Sequence, residues 1–468
     1  MGYKEYQGVL QLKGSMIISK KPLKSYKRSS TGCLSCKRRK IKCDETKDRC
    51  NKCIARKLDC QWPQPPHKEG SALVVQSYSN AKPVQNTFIA PKVSMTMQID
   101  TLFLLQFAER FLPSIAQPHY THKVSTQSLV HSVAEKSDLL RQVSIACGAF
   151  LVAFDDNNFR PIATSRYVDA ITSFIKTIKR GKFDQEWVFL AIQVLQTLSL
   201  RDPDGCNASK CALHMNAAYE LFIKGILQGQ AKISALQRVL IENFLFNYSL
   251  TIMFCERDKI QALIPNPFDL FFSFHDVFLG LCQEDSHPQF SRLSIMAFQI
   301  AAKASWSCRM NVPLLDHEKH LHIELLHSAE TCLQMSDSLI PESVSVFDTL
   351  TVTKVVLLTS IILLKKIICP DLRASFVQPQ INATVAIINN ANSNVILPIW
   401  SSFIGASAST TERDRRVFVQ TLQKLMARSG SHLIDRVYKF LVGLWEIYTG
   451  DEPFDLLIDT NALSKICE

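Results

Sequence analysis

Cys33-Leu34-Ser35-Cys36-Lys37-Arg38-Arg39-Lys40-Ile41-Lys42-Cys43 is followed, after the connector of residues 44–49, by Cys50-Asn51-Lys52-Cys53-Ile54-Ala55-Arg56-Lys57-Leu58-Asp59-Cys60. One pattern is written twice: in each copy the cysteines step by 3 and then by 7 positions. A structural zinc site takes about four tetrahedral ligands, most often thiolates and imidazoles. Six cysteines cannot furnish two separate sites of that kind. They can if two thiolates each bridge both metals. Two Zn2+ and six thiolates leave a net negative charge, which adjacent Lys and Arg offset while helping to hold the sulfurs deprotonated. A peptide this short has almost no apolar core, so metal must supply most of its folding free energy.

The charge distribution points the same way. Residues 20–60 contain 15 Lys and Arg against 4 Asp and Glu, a surplus of 11 that equals the net charge of the whole chain. The other residues balance at 38 of each sign. One compact basic block beside a neutral body predicts a dedicated polyanion-binding module. The two copies are unequal. Between Cys36 and Cys43 five of six residues are basic (Lys37, Arg38, Arg39, Lys40 and Lys42), whereas between Cys53 and Cys60 only Arg56 and Lys57 are, with Asp59. The first half is therefore expected to read bases, because Lys and Arg donors match the O6 and N7 acceptors of guanine. Lys52, Arg56 and Lys57 are expected to touch phosphates, which position without specifying.

Outward from the module, residues 1–28 are a basic lead, 29–62 the module, 63–97 a polar linker with several prolines, and 98–468 a separate body. With 47% apolar and 20% charged residues, most of the 468-residue chain can bury a core. Helical apolar spacing recurs around residues 99–112, 139–154, 167–178, 187–200, 212–226, 235–254, 317–335, 346–368, 417–427 and 431–448. No run of alternating strands intervenes, so the predicted fold class is a small two-zinc six-cysteine module plus an all-α, multi-helix regulatory domain. Residues 355–364 form the longest apolar run, bounded by Lys354 and Lys365. It is about half of what a bilayer crossing needs and reads as a buried helix, with no membrane partner.

There are 15 cysteines, and the N-terminal segment lacks the apolar core that secretion requires. A reducing compartment is expected, where clustered cysteines favour metal over disulfides. The nine cysteines from Cys147 to Cys467 show no ligand spacing except Cys206 and Cys211, and read as buried thiols. His317, His320, His322 and His327 do not share one helical face and read as an ordinary exposed helix. No Ser-His-Asp grouping, phosphate loop or dinucleotide fingerprint stands out, so no catalysis is expected.

The cysteine spacing with its basic string resembles the fungal zinc binuclear cluster transcription factors. The resemblance implies that Cys33 and Cys50 bridge, with Cys36 and Cys43 completing one zinc site and Cys53 and Cys60 the other. It implies a short helix after the second cysteine, its C-terminal end in the major groove of double-stranded DNA, with Lys40 reading guanines of a CGG triplet beside Arg39. The family usually has a proline two residues before the fourth cysteine; Asp48 stands there instead. In the body, Phe103-Leu104-Leu105-Gln106-Phe107 and Leu213-His214-Met215-Asn216-Ala217-Ala218-Tyr219-Glu220-Leu221 resemble the second type of fungal-specific transcription factor domain, in which His214 is expected in the core. Together these imply a nuclear transcription factor of the RNA polymerase II type that works with co-regulators. Residues 61–97 carry no heptad run, which leaves two arrangements: a monomer, or a homodimer formed through the helical body. Two plainer readings compete: the basic string as an import signal alone, and the cysteines as a thiol buffer. A further reading takes the body as a ligand sensor controlling the module.

Overall fold

The computed structural model describes residues 33–38, 43–46, 49–56 and 59–62 of the module, and residues 95–112, 137–181, 185–201, 208–228, 235–283, 287–393, 395–448, 450–459, 462–463 and 466 of the body. The chain divides into two compact units, one within residues 10–92 that holds the module and one that holds the helical body.

In the module, α1 (Leu34–Arg38) and α2 (Asn51–Ile54) each begin directly after the first cysteine of their copy. Leu34 N–H donates to the Gln61 carbonyl at 2.7 Å, and Ser35 Oγ donates to the Asp59 carbonyl at 2.6 Å. The end of the second copy is thereby tied to the start of the first.

The body opens with α3 (Met95–Gln106), α4 (Asp138–Asp155), α5 (Arg160–Arg180), α6 (Gln185–Ser199) and α7 (Ala208–Ala218). It continues with α8 (Lys224–Gln228), α9 (Ala235–Phe254), α10 (Arg257–Leu263), α11 (Pro267–Ser273) and α12 (His275–Gln283). The rest is α13 (Pro288–Met310), α14 (Asp316–Asp337), α15 (Val344–Ile368), α16 (Gln378–Asn390), α17 (Ile399–Ala408), α18 (Glu412–Ser429), α19 (His432–Ile447) and α20 (Glu452–Asp455). No strand occurs among the described residues.

The centre of the body is α15, which packs against α13, α14, α16 and α17. It is the one described helix long and apolar enough to cross a membrane by length and composition, and it is almost wholly buried in the body. Ser343 starts it by accepting the Val346 N–H. A helix buried on all sides must satisfy its polar side chains locally. Thr353, Thr359 and Ser360 return their hydroxyls to the carbonyls four residues earlier, and Thr359 Oγ1 also reaches Ser401 Oγ on α17 at 3.1 Å. Lys366, fully buried, donates to the carbonyls of Pro370 and Leu372 and to Asp455 at 2.6 Å, under the ring of Phe454. That ammonium fastens α20 to the end of α15.

The fold departs from the sequence reading in instructive places. The 23-residue α13 was not expected. It buries Ser294, Ser305, Ser307 and Arg309 beside its apolar residues, which blurs the contrast between its two faces in the sequence. Likewise α17 is buried throughout from Trp400 to Ala408, and α10, α11, α12 and α16 are further helices beyond those the apolar spacing predicts. The first body helix starts at Met95, inside the segment read as linker. The stretch expected at 167–178 extends to Arg160–Arg180, from a proline in its first turn to Gly181 at φ 70. Of the four histidines on α14, His317, His320 and His327 are exposed as expected. His322 is buried, its ring nitrogens 2.7 Å from the Glu318 carbonyl and 2.7 Å from Ser307 Oγ; the inward face of α14 claims it. His214 lies in the core as expected. Cys147, Cys211, Cys255, Cys308 and Cys332 are buried, but Cys369, just past the end of α15, is exposed. Cys206 and Cys467 lie outside the described residues, and Cys282 sits on α12.

Where α3 crosses α4, the backbones touch. A Cβ on Gly148 would sit 1.8 Å from the carbonyl oxygen of Phe103. Gly148→Ala is expected to lower the stability of the full chain by roughly 2–3 kcal/mol in urea unfolding, because backbone must move. Gly443→Ala on α19, where nothing lies within 4 Å, is expected to raise it by about 0.5–1 kcal/mol.

Candidate metal centre and nucleic-acid interface

All six cysteines of the module are buried, between 0% and 9% exposed, and among the described residues of the module they are the only buried ones. Trp62 packs against them as a partial lid. The core of this unit is sulfur. Cys33, Cys36, Cys43 and Cys50 form one group whose sulfurs lie within 4.8 Å of one another, and Cys33, Cys50, Cys53 and Cys60 form a second. Cys33 and Cys50 belong to both.

The separations fit a metal and not a disulfide. Cys33 Sγ lies 3.7 Å from Cys50 Sγ and 3.8 Å from Cys53 Sγ, and Cys36 Sγ lies 3.6 Å from Cys50 Sγ. A disulfide needs about 2.05 Å. Tetrahedral thiolates around Zn2+ at about 2.3 Å stand roughly 3.8 Å apart. Burial pushes the Cys53 thiol up to about 12, and its neighbours Cys50 and Cys33 push the same way. Cys36 is raised by the same causes. At Cys33 and Cys50 burial also raises the thiol, but backbone N–H groups and neighbouring thiols outweigh it and leave both below the ordinary value. Only divalent cations among the sulfurs can hold a whole set of this kind as thiolates.

Backbone geometry supports the sulfurs from outside. Cys50 N–H donates to Cys60 Sγ at 3.2 Å, and Cys36 N–H to Cys33 Sγ at 3.4 Å. Glu45 takes φ 59, a left-handed turn that aims its N–H at Cys43 Sγ, 3.4 Å away. Asp44 is a residue the sequence reading passed over. Its Oδ1 accepts from Thr46 N–H, Thr46 Oγ1 and Asn51 N–H at 3.0 to 3.3 Å, joining the connector to the start of α2. Burial works against the carboxylate there, and the hydrogen bonds from Thr46 and Asn51 win, holding its pKa below the usual range. Its position directly after a cysteine was the only signal in the sequence.

The basic residues are placed unevenly. Lys37 and Arg38 lie on the last turn of α1. That helix spans the second cysteine instead of starting after it, a correction to the expected order: Leu34, Ser35 and Cys36 already have helical backbone. Lys52, on α2, and Arg56 are exposed. Arg39, Lys40, Lys42, Lys57 and Asp48 lie outside the described residues.

Comparison with known proteins agrees with this chemistry. Residues 31–69 match the family model of the fungal Zn(2)-Cys(6) binuclear cluster domain. The segment is 55% identical over 38 residues to transcription factor lfc1 of Flammulina velutipes, covering 8% of this chain and 14% of that protein. It is 51% identical over 39 residues to the zinc cluster transcription factor CZF1 of Candida albicans, covering 8% and 10%. Sterol uptake control protein 2 of Saccharomyces cerevisiae is 41% identical over 59 residues, covering 13% and 6%. The chain thus spans no more than about a seventh of the length of these curated relatives. No solved structure matches. The module is a zinc binuclear cluster domain and binds two zinc ions.

Zinc analysis of the full-length protein is expected to return two ions per chain. Asp44→Ala is expected to keep that stoichiometry but weaken zinc retention at least about tenfold in competition with a chromophoric chelator, since groups that brace metal ligands typically carry effects of that size.

Proposed function

We propose that this protein is a nuclear, sequence-specific DNA-binding transcription factor that regulates RNA polymerase II genes through CGG-like triplets. The observation that carries the reading is the enclosure of the basic string, Lys37 to Lys42, between two ligands of one metal site, Cys36 and Cys43. A nuclear-import signal needs no such frame. A helix end held by a metal ligand keeps its cations in a fixed direction, which base reading in the major groove requires.

In this reading Cys33 and Cys50 bridge the two zinc ions, Cys36 and Cys43 complete one site, and Cys53 and Cys60 the other. The sharing of Cys33 and Cys50 between the two sulfur groups supports that division. Lys40, with Arg39 beside it, reads guanine edges. Lys37, Arg38 and Lys42 complete the DNA-facing side, and Lys52, Arg56 and Lys57 hold phosphates; the exposure of Lys52 and Arg56 supports the last assignment. Residues 29–62 are the DNA-binding domain, 63–97 chiefly linker, and 98–468 a regulatory domain of the second fungal-specific type that recruits co-regulators and, where the protein dimerises, supplies the interface. The body is not an enzyme in this reading.

Lys40→Ala is expected to weaken binding to a CGG-containing duplex by roughly 1–3 kcal/mol and to relax preference at one base, measured by gel shift against scrambled DNA. Equal discrimination by the variant and the parent would remove Lys40 from base reading. Lys57→Ala is expected to lower affinity evenly across sequences and to reduce the salt slope by about 1. If zinc is lost with no effect on DNA binding, the module is a thiol buffer and the proposal fails.

A further inference from the structure

One face of α13 lines a cavity of about 210 Å3. Arg292, Ile295, Met296, Gln299, Ile300 and Lys303 all border it. They recur at helical spacing, so they form a single stripe over about 16 Å of the helix axis. His275 and Phe278 of α12 and Leu325 and Ser328 of α14 complete the wall. The middle of the stripe is largely aliphatic, and a cation stands at each end of it.

Among the described residues no carboxylate answers those cations. The 23 residues of α13 include no acidic one. Asp276, the acidic residue of α12, is exposed and does not line the cavity. On α14 every carboxylate is engaged elsewhere. Asp316 pairs with Lys319, Glu324 with His320, Glu330 with Lys365 and Asp337 with Lys354, while Glu318 accepts from Asn311 and the Leu315 N–H. Arg292 is exposed, so water serves its guanidinium. Lys303 is half-buried and has no ion pair or hydrogen bond among the described residues. The ring of Phe268 stands 5.6 Å from its Nζ, a weak substitute for the hydration that burial removes. That loss pushes the ammonium below its ordinary value.

An under-solvated ammonium beside an aliphatic stripe calls for a ligand with a negative group at one end and a hydrocarbon chain at the other. A compact inorganic anion would answer Lys303 and leave the stripe facing water. The stripe runs along the helix axis, which suits an extended chain, and Met296 at its centre adapts readily to such a neighbour. Arg292, at the exposed end, adds a positive field that draws anions towards the cavity.

We propose that this cavity binds an aliphatic carboxylate, its carboxylate held by Lys303 and its chain laid along Ile300, Met296 and Ile295. The site lies within the helical body, so it stands whether or not the module reads CGG triplets.

Isothermal titration calorimetry on the zinc-loaded full-length protein tests it, with butyrate, octanoate and octanamide at constant ionic strength and pH. Octanoate is expected to bind at least about tenfold more tightly than octanamide, through the charge. It is expected to exceed butyrate by at least about tenfold as well, through the four additional CH2 groups. Lys303→Met is expected to abolish the preference for acid over amide and to keep octanamide binding, which a collapsed site would lose. Met296→Trp fills the cavity and is expected to abolish binding of both. Should Lys303→Met fail to fold by circular dichroism, Met296→Trp and the acid–amide comparison decide. The proposal is overturned if octanoate does not bind, if acid and amide bind alike, or if either folded variant binds octanoate as the parent does, which would put the anion elsewhere, on the basic module for example.

Discussion

Six sulfur atoms packed at van der Waals distance form an arrangement that no set of free thiols would choose and that no set of thiolates could hold unaided. Everything in the N-terminal unit follows from resolving that conflict with two dications. The metal pair replaces the aliphatic core that so short a segment cannot assemble, and it does so with ligands that are directional. A hydrophobic core would tolerate small shifts of α1; a tetrahedral sulfur frame does not. The hydrogen bonds onto Cys33, Cys43 and Cys60, and the Asp44 brace into α2, fix the sulfurs that fix the helices. Of the basic residues between Cys36 and Cys43, Lys37 and Arg38 lie on the last turn of α1, directly after a ligand of that frame.

The helical body solves the opposite problem. It has ample apolar surface and must dispose of the polar groups that come with it. At α15 the hydroxyls fold back onto the helix, and the one buried ammonium, Lys366, is matched by two carbonyls and a carboxylate. At α13, Arg309 reaches the Cys255 carbonyl, and His322 on α14 bridges to Ser307. Where the accounting closes, the body is a packed core. A few buried groups have no hydrogen-bond partner among the described residues, the Trp400 indole N–H and the hydroxyls of Ser249, Ser305, Ser407 and Ser429 among them.

Much of this was legible in the chain. The two-fold repeat of the cysteine spacing named the ligands, because zinc coordination is a matter of donor type and local spacing. Helices such as Ala235–Phe254 and His432–Ile447 lay within one residue or so of their expected bounds, since each shows apolar spacing flanked by polar breaks. A helix buried all round, such as α17, was illegible for the same reason read backwards: with no solvent face there is no contrast to repeat. His322 and Asp44 were missed because their roles depend on partners supplied by other elements.

The sequence by itself determined the donor set, its division into two copies, the confinement of the charge to one segment and the helical character of the remainder. These are properties of neighbours along the chain, and local chemistry decides them. Tertiary structure alone decided which four sulfurs gather in each group, that α3 and α4 meet at Gly148, and that Arg201 comes to rest against Ser429, 228 positions away. Such pairings are set by how helices of many possible orientations share one buried volume, and no periodicity within a single helix carries that information.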